Sequence, residues 1–210
     1  MKRSILCSGT RRILLGFAAA ALWLFMGTAA RAASMTYTFT GVGNGTVDTT
    51  TWSGSFTFVF TADTSNITSG GGEFFQRNIA GTFSEGSFSA ALVANNSVVV
   101  NNDPLNPRLG FFNSLFDNGG TIQDSSFSTY HLDTPFGPVT GTGANLLPTL
   151  NGSGDGFTTP GGDTIELLGM TSLTFSATPE PSTLVMASAL FGIFGGVLAY
   201  KRRQWKTVAA

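Results

Sequence analysis

Between residues 35 and 177 the apolar residues recur with a period of two. Tyr37 and Phe39 alternate with Thr36, Thr38 and Thr40, setting an apolar face against a hydroxyl face, the pattern of a half-buried strand. The clearest strand is residues 52–60, with Trp52, Gly54, Phe56, Phe58 and Phe60 on one face. Leu173, Phe175 and Ala177 likewise face away from Ser172, Thr174 and Ser176. Breaks separate these runs. Residues 41–51, rich in Gly, Asn, Asp and Thr, read as a turn, and residues 63–72 break the pattern again. A short strand is expected at 73–77. The apolar run 79–94 ends at Asn95-Asn96, a turn signal before Val98-Val99-Val100, so the pair reads as a hairpin.

Further on, residues 101–107 are the most loop-like of the body, with Asn, Asp and two prolines. The apolar stretch 109–116 leads to a turn at Asp117-Asn118-Gly119-Gly120. Strands are expected at 121–132 and 138–142, an irregular Gly-rich segment at 143–162, and strands at 164–168 and 172–177. Nothing between residues 33 and 178 has helical spacing, so helices are expected only at the two ends of the chain. About eight to ten short strands, roughly ten residues apart, indicate an all-β, antiparallel β-sandwich of jelly-roll or immunoglobulin-like type.

The two ends differ from this body. Lys2, Arg3, Arg11 and Arg12 precede an apolar stretch at 13–26, and Ala30-Arg31-Ala32 offers an A-x-A cleavage site. Residues 1–32 therefore have the layout of a signal peptide, with the mature chain expected to begin near Ala33. Thr10-Arg11-Arg12-Ile13-Leu14-Leu15 partly resembles a twin-arginine export signal; the other reading is two arginines within a general secretion signal. At the other end, residues 183–200 carry no charge and are built from Leu, Val, Met, Ala, Phe, Ile and Gly. As a helix this stretch nearly crosses a hydrocarbon core of about 30 Å. Lys201, Arg202 and Arg203 follow at once, with Lys206 behind them, as a cytoplasmic stop. Pro179-Glu180-Pro181 stands just before the span and is stiff and non-helical.

These last features carry a resemblance. Residues 178–210 resemble a PEP-CTERM sorting domain, with Pro179, Glu180, Pro181 and Ser182 matching the motif and the span and basic tail (201–206) following in order. The resemblance implies processing by an exosortase, a membrane-embedded transpeptidase-like enzyme that reads the Pro-Glu-Pro. It covers the tail alone and addresses the protein without describing its cargo. A plain single-pass anchor is the other reading of the same residues.

Charge is segregated in the same way. The formal net charge of the chain is −1, yet nine of its 11 basic residues lie in the two terminal segments. The body, residues 33–177, keeps Arg77 and Arg108 against 11 carboxylates, a net charge of 2 − 11 = −9. No nucleic-acid partner is expected, since phosphate contacts need a basic face. The single cysteine, Cys7, lies before the first apolar run, so disulfides and thiolate chemistry are not expected in the body.

Few residues are candidates for chemistry. His131, the only histidine, falls in Tyr130-His131-Leu132-Asp133, where Asp133 would share its strand face and could orient it as a general base. There is no G-x-S-x-G elbow, and a solvated surface explains the pair equally well. Asp48, Asp63, Asp103, Asp117, Asp155 and Asp163 fall in expected turns, where Asp bonds the local backbone. Asn151, Ser153 and Asp155 place oxygens at alternate positions, like the first half of a calcium loop. The twelfth position, however, is Gly162 and not a bidentate Glu. Trp52 and Tyr130 are candidates for a sugar-stacking ring, although Trp52 is in register with Phe56 and Phe58 and fits a core better.

The sequence therefore leads to an exported, non-enzymatic β protein with no cofactor. The expected role is structural, in the cell envelope or extracellular matrix and associated with exopolysaccharide, with a transient stay at the inner membrane. A carbohydrate-binding or adhesive module is the alternative, and a secreted hydrolase a more distant one.

Overall fold

The structure, a computed structural model, describes residues 34–113, 118–150 and 156–180. The expected signal peptide (1–32), the apolar stretch 183–200, Pro181, Ser182, Lys201, Arg202 and Arg203 lie outside the described residues. Among the described residues no helix is long and apolar enough to cross a membrane.

The body is all-β and antiparallel, as expected. Its strands are β1 (Ser34–Val47), β2 (Thr50–Asp63), β3 (Thr68–Gly70), β4 (Glu73–Glu85), β5 (Phe88–Asn101), β6 (Arg108–Phe112), β7 (Asn118–Gln123), β8 (Phe136–Thr142), β9 (Leu146–Leu150), β10 (Phe157–Thr158) and β11 (Thr164–Pro179). Short 3₁₀ turns cover Thr64–Asn66, Ser125–Thr129 and Gly143–Asn145. Hydrogen bonding follows one continuous path, β10-β11-β1-β2-β4-β5-β6-β7-β9, with β3 added beside β4 and β8 beside β11. The path largely follows chain order, and the last strand returns to pair with the first. Because β7 and β9 come back against β11, the sheet is nearly barrel-shaped.

Period-two alternation sorts the residues as the sequence indicates. Tyr37, Phe39, Phe56, Phe58, Phe60, Leu173, Phe175 and Ala177 are buried in one core. Phe111 of β6 reaches it from the opposite wall, with ring centres 4.7 Å from both Phe39 and Phe58. Phe157 of β10 fills the space between, 4.6 Å from Phe58 and 5.7 Å from Phe111. Burying so many aromatic rings is the main favourable term of this fold.

Several expected boundaries move, each for an identifiable reason. Residues 41–51 are not a turn, since β1 continues to Val47. Gly41 and Gly45 occupy inward positions opposite Phe56 and Trp52, whose rings lie over them. A Cβ at Gly41 would sit 2.6 Å from the Phe56 ring and 2.5 Å from the Ser172 carbonyl oxygen. Here glycine serves close cross-strand packing under an aromatic ring, and the turn itself is only Asp48-Thr49. Nor is Asn95-Asn96 a turn, because both residues lie inside β5. The chain reverses at Gly86-Ser87, where Gly86 takes φ +53°. Asn96 is buried at a register shift, and its side-chain amide donates to the Ile79 and Val93 carbonyls. Asn118-Gly119-Gly120 begins β7 and is not a turn. The irregular segment 143–162 contains β9 and β10, and the two final strands are one, β11, running through register shifts near Gly169.

Candidate functional site

Two places on the body have the local geometry to act. The first is the end of β11, where the sheet meets Pro179 and Glu180. β11 pairs with β1 up to Pro179, opposite Met35. Beyond it the Glu180 backbone N–H donates to the Ser34 carbonyl at 2.8 Å. The Glu180 carboxylate accepts hydrogen bonds from the Thr36 and Thr61 hydroxyls, each at 3.3 Å through Oε1. Thr36 and Thr61 are cross-strand partners on β1 and β2, so the outward hydroxyl face of the alternation builds this seat. Pro179 and Glu180 are thus part of the folded body.

The second is a depression of about 260 Å³ on the outer face of β4 to β7, lined by Glu73, Phe75, Val99, Asn101, Arg108, Phe112 and Thr121. Register builds it from two rows. One runs Glu73, Asn101, Arg108 across β4, β5 and β6. The neighbouring row runs Phe75, Val99, Gly110, Thr121 across β4 to β7. Gly110 leaves the second row without a side chain at its centre, and Thr121 leans into that space. A Cβ on Gly110 would come within 2.3 Å of the Thr121 methyl. Asn101 is fixed at both ends: its amide nitrogen donates to Glu73 Oε1 at 3.1 Å, and its oxygen accepts from the Asp103 N–H at 2.8 Å. The Arg77 guanidinium lies over the Phe75 ring, 4.4 Å from its centre. Both arginines of the body therefore flank this one feature.

The residues singled out from the sequence are dispersed. His131 is exposed and stacks on Phe74, with ring centres 4.2 Å apart. It lies just before a bend, not on a strand, because Leu132 turns the chain with φ +67° and is itself buried. His131 and Asp133 thus share no strand face. Tyr130 is buried and stacks on Phe136, so it is no exposed platform. Burial pushes its phenol well above the usual tyrosine range, and the neighbouring Tyr37 and Asp133 add to this. Burial does the same to Tyr37, against the opposing pull of Gln76, while its hydroxyl donates to the Leu132 carbonyl at 2.7 Å. Trp52 belongs to the core, packed on Phe56 and Phe83, as its register indicates.

Asp63, Asp103 and Asp124 bond their local backbone, and Asp48 bonds backbone across the sheet on β11. Asp48 accepts from the Thr164 N–H and Asp103 from the Leu105 N–H. Asp63 and Asp124 each cap a 3₁₀ turn. The Ser65 backbone N–H, then its side chain, lowers the Asp63 carboxyl; the Ser126 hydroxyl, then its N–H, lowers Asp124. Asp163 meets Thr159, whose hydroxyl accepts the Asp163 N–H. Asp117 and the calcium-loop candidate Asn151, Ser153 and Asp155 lie outside the described residues. Among those described, no group of three or more His, Cys, Asp or Glu could hold a metal ion.

Comparison with protein-family models, curated proteins and solved structures finds no match to this chain. Sequence reasoning missed the depression, because its lining comes from four strands whose register no local pattern gives. One signal was present: the only two cations of an acidic body stand beside aromatic positions, Arg77 two residues from Phe75 and Arg108 four from Phe112.

Proposed function

We propose that this chain is an exported envelope or extracellular-matrix protein with a structural role. It is delivered through the PEP-CTERM-like tail and associates with exopolysaccharide. The signal peptide starts translocation, the span 183–200 halts it with Lys201, Arg202 and Arg203 inside, and the body stays outside the inner membrane. An exosortase then reads Pro179-Glu180-Pro181-Ser182.

The observation that carries this reading is the seat of Glu180. β11 keeps the backbone extended as far as Pro179, and extended backbone is what a processing enzyme needs, whereas a helix running straight into the bilayer would hide it. Glu180 is bonded to Ser34, immediately after the expected start of the mature chain. The entry and exit of the body therefore lie side by side at one end of the sheet. Support also comes from the segregation of charge, with an acidic body between two basic ends.

The decisive experiment expresses the protein in its host with and without the exosortase and compares C-terminal mass and membrane fractionation. A shortened, released product only in the presence of the enzyme is expected. An intact membrane-bound product in both strains would leave a plain anchor and sink the sorting reading. Replacing Pro179, Glu180 and Pro181 with alanine in the native strain should give the same intact product.

A further inference from the structure

We propose that the depression on the outer face of β4 to β7 binds a neutral pyranose ring of a polysaccharide. Glu73 at one side only accepts hydrogen bonds when ionised, and Arg108 at the other only donates them. A ligand that satisfies both must carry groups able to donate and accept, and hydroxyls do both. Glu73 and Arg108 stand in one row with Asn101 between them, two strand spacings or about 9.6 Å of backbone apart. A single sugar ring with hydroxyls on both edges bridges that gap. Asn101 holds Glu73 by Oε1 and leaves the second carboxylate oxygen for a ligand. Val99 and Thr121, with the part of Phe75 that lines the depression beside Arg77, supply an apolar floor and wall for the C–H face of the ring.

Size and charge narrow the class. At about 260 Å³ the depression lies below the roughly 300–1,000 Å³ of drug-sized pockets, which suits one ring rather than a folded ligand. The Arg108 guanidinium has no hydrogen-bond or ion-pair partner among the described residues, so it meets a ligand without first breaking a contact with them. The carboxylate in the lining and the net charge of −9 on the body oppose a uronate or sulfated sugar. This site gives exopolysaccharide association a chemical basis and rests on the proposed function only for the choice of polymer.

The test is saturation-transfer NMR on the full-length chain in detergent, with methyl glucoside, galactoside, mannoside, N-acetylglucosaminide and glucuronate as probes. At least one neutral glycoside should receive saturation. Arg108→Ala and Glu73→Gln should each weaken binding by about tenfold or more, with the melting temperature unchanged. If no neutral glycoside responds, if only glucuronate does, or if the response survives in both variants, the proposal is overturned. A chain with Pro179, Glu180 and Pro181 replaced by alanine should bind sugar like the wild type, which separates failure of this site from failure of the sorting reading.

Discussion

The outer surface of the sheet has two unlike regions over one shared core. Across β8, β11, β1, β2, β4 and β5, the partners Thr140, Thr174, Thr40, Thr57, Ser84 and Ser89 form one unbroken row of hydroxyls. Thr140 and Thr174 are bonded at 2.8 Å. Across β4 to β7 the rows instead hold Glu73, Asn101, Arg108 and Phe75, Val99, Gly110, Thr121. The inward alternation is the same in both. On the hydroxyl side, solubility and strand propensity account for this row. On the other side they explain neither the aromatic ring beside a cation nor the glycine gap. That unexplained remainder is what marks a site.

The largest expected effect tests whether the two regions share a core. Phe58 of β2 packs on Phe83 of β4, on Phe111 of β6 and on Phe157 of β10. Phe58→Ala should cost about 3–5 kcal/mol and lower the stability of both regions in one cooperative transition. Urea denaturation followed by fluorescence and by hydrogen exchange at Thr40 and Val99 checks this. Two separate transitions would mean that the walls fold independently.

Next comes pH, which reads the polar inclusions beneath the hydroxyl side. Burial raises both Tyr37 and Tyr130, so the folded protein holds these two protons more tightly than the unfolded chain does. The contribution is fully present below the ordinary tyrosine value of 10.0 and is lost as pH rises above it. Its slope is at most ~1.4 kcal/mol per pH unit for each tyrosine. Urea midpoints should be unaffected by these groups at pH 8–9, an interval about one unit or more below that value, and should fall beyond pH 10. Tyrosinate absorbance from Tyr37 and Tyr130 should appear only with unfolding. Its appearance in a chain that still exchanges like the native protein would show that these phenols are accessible.

How much of this was legible follows the physics of alternation. Where one face is buried, a period of two suffices, and Tyr37, Phe39, Phe56, Phe58, Phe60 and Phe175 lie in the core as their alternation indicates. Turns were less legible because their residues have second uses. Asn96 bonds backbone carbonyls at a register shift as readily as in a turn, and Gly41 makes room for a ring as readily as it reverses a chain. Leu132, which bends the segment holding His131, is not a residue that announces positive φ. The depression depends on register between strands far apart in sequence, and the seat of Glu180 on a pairing 144 residues long, from Thr36 to Glu180. The seat leaves no local trace, and the depression only the two arginines placed near Phe75 and Phe112.

A smaller effect tests the glycine reading. Gly41→Ala should destabilise by about 1–3 kcal/mol, because its methyl group meets both the Phe56 ring and the Ser172 carbonyl oxygen. Thermal melting of the purified chain measures it. Gly70 offers the contrast: it lies in β3 with open space around the position of a Cβ, and Gly70→Ala should change stability by no more than about 0.5 kcal/mol. Equal losses at both positions would remove close packing as the reason for glycine in β1.

The smallest effect sharpens the contrast between the regions. Thr40→Val and Thr57→Val keep β-branching and size while removing two adjacent hydroxyls from the row. Both side chains face outward and both positions favour branched residues, so each change should stay within about 0.5 kcal/mol. Sugar binding at Glu73 and Arg108 should be untouched, since the nearer of the two altered strands, β2, pairs with β4 only from Phe56 to Phe60, opposite Gly81–Glu85, away from Glu73. If instead these two substitutions abolished saturation transfer, the hydroxyl row would be the recognition surface. The depression would then be a gap left by Gly110 and nothing more.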